Sequence, residues 1–125
     1  MVFLNKYLRE LGIDEKYWLF ADKSGDDRYE PDEDGFIDAE TFNLDATFSM
    51  CIYSYLCYFR DHCMVGHPGC MTFEKWKEVI DKMIEAFKLQ IIQDEDVSVE
   101  LSKTKQKKIN YGMRLFIKYY NHLWW

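Results

Sequence analysis

The chain has 125 residues, 48 % of them hydrophobic and 18 % aromatic, with a formal net charge of −6. That is the size of a single domain able to bury one core without disulfide staples, and the composition excludes a wholly disordered chain. The net acidity argues against a surface that broadly attracts nucleic-acid phosphates.

At the N-terminus, Phe3, Leu4, Tyr7, Leu8 and Leu11 recur at helical spacing and Gly12 ends the pattern, which predicts a short amphipathic helix. No apolar run or small-residue cleavage site follows Met1, so no secretory signal is read. Asp14 caps a second short turn that presents Tyr17, Trp18 and Phe20. From Ala21 to Gly35 the apolar periodicity vanishes, and Gly25, Pro31 and Gly35 punctuate an acidic loop over residues 22–38. Between Asp14 and Asp45 twelve acids meet only three bases, a net of nine negative charges, while the rest of the chain sums to plus three. A field that lopsided binds cations, faces a basic partner or is simply solvated.

Asp38 or Asn43 can cap the next helix, with Asp45 in its first turn, where the helix dipole favours negative charge. Ala46 to Phe59 is an uncharged run of 14 residues. A membrane-spanning helix needs about 18–20. Leu44, Phe48, Ile52, Leu56 and Phe59 form one stripe, and Met50, Tyr53, Cys57 and Tyr58 occupy the opposite side. A helix apolar nearly all round is normally the buried one, so this segment is expected to be the hub of the fold. Gly66-His67-Pro68-Gly69 then suits a turn with Pro68 and Gly69 as its central residues.

Thr72 caps a helix whose stripe of Phe73, Trp76, Ile80, Met83, Ile84, Phe87 and Ile91 faces the core. Its other face is charged, with Glu78 and Lys82 spaced as an i,i+4 pair. Residues 94–103 read as a linker in which Val97, Val99 and Leu101 alternate as in a strand but lack a partner. The last helix is predicted from Lys103 to Leu123, with Ile109, Met113, Phe116, Ile117, Tyr120 and Trp124 on one side. The expected fold is an all-α, single-domain helical bundle over residues 1–125, with three long helices, two short N-terminal helices and the acidic loop at 22–38.

Chemistry-bearing motifs are sparse. Glu30 to Thr41 matches an EF-hand calcium loop in its Gly35, Ile37 and Asp38, but Glu30 opens it and Thr41 stands where a bidentate Glu must close the cage. Cys57, His62, Cys63, His67 and Cys70 cluster around one helix break, yet only His67 and Cys70 have zinc-knuckle spacing, and cysteine commonly packs as a small hydrophobe. Without a secretory signal, these thiols are expected to be reduced. No nucleophile turn, orienting carboxylate, phosphate-cradling glycine loop or dinucleotide fingerprint has a recognisable spacing, so no enzyme is expected. Lys103, Lys105, Lys107 and Lys108 lie beside Asp94-Glu95-Asp96 and read as a self-compensated surface. The aromatic C-terminus, Tyr119 to Trp125, is expected to bury Tyr120 and Trp124, and any of its aromatics left outside form a contact patch.

Three segments resemble a group of small, mostly uncharacterised proteins encoded by tailed bacteriophages: Thr41-Phe-Asn-Leu-Asp45, Gly66-His-Pro-Gly-Cys-Met-Thr-Phe-Glu-Lys-Trp76, and Gly112-Met-Arg-Leu-Phe-Ile-Lys-Tyr-Tyr-Asn-His-Leu-Trp124. The likeness is loose over residues 36–125 and closer in those segments. Phe42 stands where the group often has Trp, and Trp125 where it often ends in an acid. The group has no assigned catalytic residues, so the resemblance implies a setting, the host bacterial cytoplasm during infection, rather than a reaction.

In that setting a small acidic helical protein acts by binding. Host immune nucleases, CRISPR effectors among them, present basic nucleic-acid channels that an acidic surface can occupy. The leading expectation is a non-enzymatic inhibitor of a host protein with a basic surface, docking through Asp26, Asp27, Glu30, Asp32, Glu33 and Asp34, with Trp124 and Trp125 as further contact candidates. It needs no cofactor and touches neither nucleic acid nor membrane directly. Two rival readings are a scaffolding module that dimerises through Tyr119, Trp124 and Trp125, and a protein stabilised by a metal in the Cys57–Cys70 region or the Glu30–Asp38 loop.

Overall fold

The computed structural model describes residues 2–13, 30–36, 44–95 and 102–124. They form four α-helices and, among the described residues, no strand: α1 (Val2–Glu10), α2 (Leu44–Tyr58), α3 (Phe73–Glu95) and α4 (Lys103–Lys118). A single π-helical turn, Phe59–Cys63, extends α2, and a 3₁₀ turn, Tyr120–His122, follows α4. The all-α class is as expected. The predicted short turn at Asp14, the Asp38 or Asn43 cap and the Val97–Leu101 alternation lie outside the described residues.

Three helix ends show a local cause. At the end of α1 the Ile13 N–H donates to the Leu8 carbonyl (3.1 Å) and the Gly12 N–H to the Arg9 carbonyl (3.0 Å), with Gly12 at φ +87°. This is a Schellman closure, and its accompanying hydrophobic contact is supplied by Leu8 and Ile13, both buried in the core. Thr72 caps α3 as predicted, its Oγ1 accepting from the Lys75 N–H at 3.2 Å. Ser102 does the same for α4 toward the Lys105 N–H, also at 3.2 Å. On the outer face of α3, Glu78 is engaged by Lys75 (3.5 Å) rather than by Lys82. The turn before α3 is displaced by one residue from expectation: the Met71 N–H donates to the Pro68 carbonyl at 3.2 Å, so Gly69 and Cys70 are its central residues.

The hub is α3, not the Ala46–Phe59 segment. Trp76, Val79, Ile80, Met83, Ile84, Ala86, Phe87 and Ile91 are all buried, and α3 packs against α2 and also against α4, while α1 packs on α2. Full burial of each large side chain there contributes about 1.5–3 kcal/mol. The face that α2 turns inward is Met50, Tyr53, Leu56 and Cys57, whereas Leu44 and Phe48, on a helix expected to be buried all round, are exposed. A helix apolar all round carries no phase, so its neighbours decide which side is covered.

The helices α3 and α4 run antiparallel, with Gly112 against Ala86 and Lys82 and the Tyr119 ring edge-on to Trp76 at 5.7 Å. Ile109 and Gly112 are buried, and Met113, Phe116, Tyr119 and Leu123 pack on the core. Ile117, Tyr120 and Trp124, predicted to lie on the buried side, are exposed. Ile117 is still α-helical and lies about 100° round the helix from Phe116, off the face that meets α3. For Tyr120 and Trp124 the cause is the end of the α-helix at Lys118: the 3₁₀ turn changes the angular phase, so spacing counted on from Phe116 no longer points at α3.

Candidate functional site

Two surfaces stand out, and the first is the acidic turn at residues 30–36. Asp32 organises it. Its Oδ1 accepts from the backbone N–H groups of Asp34 and Phe36, each at 2.9 Å. The Asp32 N–H donates to the Phe36 carbonyl at 2.8 Å, and the Gly35 N–H donates to the Asp32 carbonyl at 3.0 Å. Gly35 sits at φ +87°, a conformation glycine adopts without strain. This is an Asx turn, built by the Asp-x-x-Gly sequence itself.

Glu30, Asp32, Glu33 and Asp34 are all exposed on it, and no Lys or Arg among the described residues pairs with them. Four of the six predicted acidic contact residues are thus brought onto one short loop. Asp26 and Asp27 lie outside the described residues, as does Trp125. Asp32 Oδ1 is already occupied by two N–H groups, and among the described residues no three His, Cys, Asp or Glu side chains converge as a metal-ligand set. In the Cys/His region, Cys57 and Cys63 are buried, Cys70 is exposed, and His67 Nδ1 lies 2.9 Å from the Pro68 carbonyl oxygen.

The second surface is a groove of about 650 Å³ between α2 with its π-helical turn and the end of α4. Cys51, Ile52, Tyr55, Leu56, Tyr58, Phe59 and Cys63 form one wall, and Phe116, Tyr120, Leu123 and Trp124 the other. No acid or base lines it, in a chain that is 30 % charged. Phe116 is held edge-on by Phe87 at 5.3 Å and by Tyr120 at 5.7 Å, which fixes that wall on the core. Burial pushes the Cys51 thiol above its usual range, so it is a poor nucleophile.

Comparison with protein-family models, curated proteins and solved structures finds no match to this chain.

The described titratable groups form one further network, at the mouth of the π-helical turn. The Tyr7 hydroxyl donates to Asp61 Oδ2 at 3.0 Å, Arg60 Nε donates to Asp61 Oδ1 at 3.0 Å, and Arg60 Nη1 reaches Asp81 at 3.6 Å. Burial alone would raise the Asp61 pKa, but the hydrogen bonds from Arg60 and Tyr7 and the Arg60 charge outweigh it and hold the carboxyl below its ordinary value. Burial, with the Asp61 hydrogen bond, pushes the Tyr7 phenol up. These groups clamp α1 to the end of α2 and thence to α3. The buried Cys57 thiol lies within electrostatic reach of this network, and burial raises it to about 11, well above the range of a reactive thiolate.

Sequence reasoning missed the groove. The signal for it was the Leu44–Phe59 stripe itself, read as core because its opposite side was equally apolar. No described helix is long and apolar enough to cross a membrane.

Proposed function

We propose that the protein acts by binding, as a non-enzymatic acidic inhibitor that sets its Glu30–Asp34 turn on a basic surface of a host protein. The observation that carries this reading is the Asx turn: it orders the backbone of residues 32–36, on and beside which Glu30, Asp32, Glu33 and Asp34 are exposed, with no described Lys or Arg paired to them. A preordered anionic loop loses little conformational entropy on docking and steers its approach to a cationic groove.

The basic channel of a nucleic-acid-binding defence nuclease, such as a CRISPR effector, has the matching chemistry. The bacterial cytoplasm during phage infection is the setting implied by the three-segment resemblance. On this reading the target's DNA or RNA is excluded because carboxylates occupy the sites of its phosphates.

The test is capture of host proteins from bacteria by the tagged full chain, beside a variant carrying Glu30→Gln, Asp32→Asn, Glu33→Gln and Asp34→Asn. Asn at position 32 keeps an oxygen acceptor for the turn, so charge is removed while the loop geometry is retained. The expected result is a partner with a nucleic-acid-binding surface, retained by the native chain and lost by the variant. Equal capture of the same partner by both chains overturns the reading.

A further inference from the structure

We infer that the apolar groove is a dimer interface, occupied by the same face of a second copy of this chain. This inference stands apart from the acidic-turn reading and uses different residues.

The groove does not end at its own walls. On α2 the groove-lining Ile52 and Tyr55 continue one turn and more toward the helix start as Phe48 and Leu44, which share their side of the helix and are exposed. Across the groove, Tyr120 and Trp124 rise from the 3₁₀ turn, with Trp124 75 % exposed. The face is therefore one apolar surface carrying both a hollow and a projecting indole. An isologous pair requires a self-complementary patch, and a hollow beside a projecting indole is one, because each copy can supply the knob that fills the other's hole.

The area is sufficient. Phe48, Tyr55, Tyr58, Tyr120 and Trp124 are 41–75 % exposed. Large aromatics bury roughly 150–250 Å² each, so these five offer on the order of 600 Å² per copy. Leu44 and the half-buried Ile52 and Phe59 bring the patch toward the roughly 800 Å² per partner of a standard interface. Its composition is that of an interface centre, aromatic and free of acids and bases. A small apolar ligand would fill the hollow but leave Phe48 and Leu44 in water. The second copy covers both.

Charge sets a signature for this association. Two copies with a formal charge of −6 each repel at long range while meeting through an uncharged face. Screening that repulsion strengthens the dimer, so its affinity rises with salt. A contact made by the acidic turn weakens with salt.

The experiment is light scattering and sedimentation of the full chain across micromolar concentrations, at low and at high ionic strength. The expected result is a concentration-dependent rise from the 15.1 kDa monomer to twice that mass, sharper at high salt. Trp124→Ser and Phe48→Ser should each weaken the dimer tenfold or more. Tyr111→Ser, on an exposed aromatic that does not line the groove, should leave it unchanged. All three positions are exposed, so each variant should keep its helices, with circular dichroism as the control. A monomer at every concentration overturns the inference, as does a dimer indifferent to both groove variants or one that dissociates as salt rises. A small molecule retained by the monomer in native mass spectrometry also overturns it.

Discussion

Gly112 of α4 lies so close to α3 that a Cβ placed on it would run into the Cβ of Ala86 and the carbonyl oxygen of Lys82. The two helices therefore meet backbone to backbone at this point, and the glycine sets how deeply the rest of α4 can seat. In an isolated helix Gly112→Ala would gain about 1 kcal/mol of propensity. Here the obstacle includes main chain, which cannot rotate away, and overpacking of this kind costs about 1–3 kcal/mol. The net effect expected is destabilisation, read as a lower denaturant midpoint. Gly69→Ala, with open space around its Cβ, serves as the control.

Ser54 is 1 % exposed and its hydroxyl has no hydrogen-bond partner among the described residues. A buried hydroxyl without a partner forfeits about 1–3 kcal/mol of hydration. Ser54→Ala should therefore leave the protein as stable as before or more stable by about 1 kcal/mol, measured by urea unfolding.

The Tyr7–Asp61 hydrogen bond gives a pH signature. The Asp61 carboxyl has a folded pKa below its ordinary 3.8, so its stabilising contribution is complete above that value and is lost as pH falls through the depressed one. Tyr7→Phe removes one of the hydrogen bonds holding Asp61 down. Asp61 retains Arg60 and solvent contact, so the cost at neutral pH should be modest, about 0.5–1.5 kcal/mol. The fall in stability below pH 4 should be shallower in the variant than in the native chain, as acid titrations of both would show.

The four thiols should separate by reactivity. Cys70 is exposed, whereas burial pushes the Cys57 thiol from an ordinary 9.0 up to about 11. A colorimetric thiol reagent at pH 8 should label Cys70 promptly and Cys57 only on unfolding. Because the Cys57 pKa is raised in the folded state, its contribution to stability is full below about pH 9 and declines as pH climbs toward about 11.

What the sequence disclosed depended on whether a segment had two unlike faces. In α3 the apolar residues Trp76, Ile80, Met83, Ile84, Phe87 and Ile91 recur at helical period against a charged back, and all of them are buried. In α2 every side is apolar, so periodicity could not choose between Met50–Tyr53–Cys57 and Leu44–Phe48–Ile52, and the inward face is the former. At the C-terminus the change from α-helix to 3₁₀ turn after Lys118 broke the phase on which burial of Tyr120 and Trp124 had been expected. Gly112 was the overlooked clue, since a glycine inside an amphipathic helix marks a close backbone approach. The acidic turn was legible because Asp32 and Gly35 carry their turn chemistry locally, without help from the rest of the fold.

The central claim is that carboxylates on the Glu30–Asp34 turn do the docking, and the salt dependence of binding to the captured partner tests it most directly. Affinity should fall at least tenfold between about 0.05 and 0.5 M salt for the native chain, and much less for the chain neutralised at all four positions. Identical affinity and identical salt slopes for the two chains would contradict it.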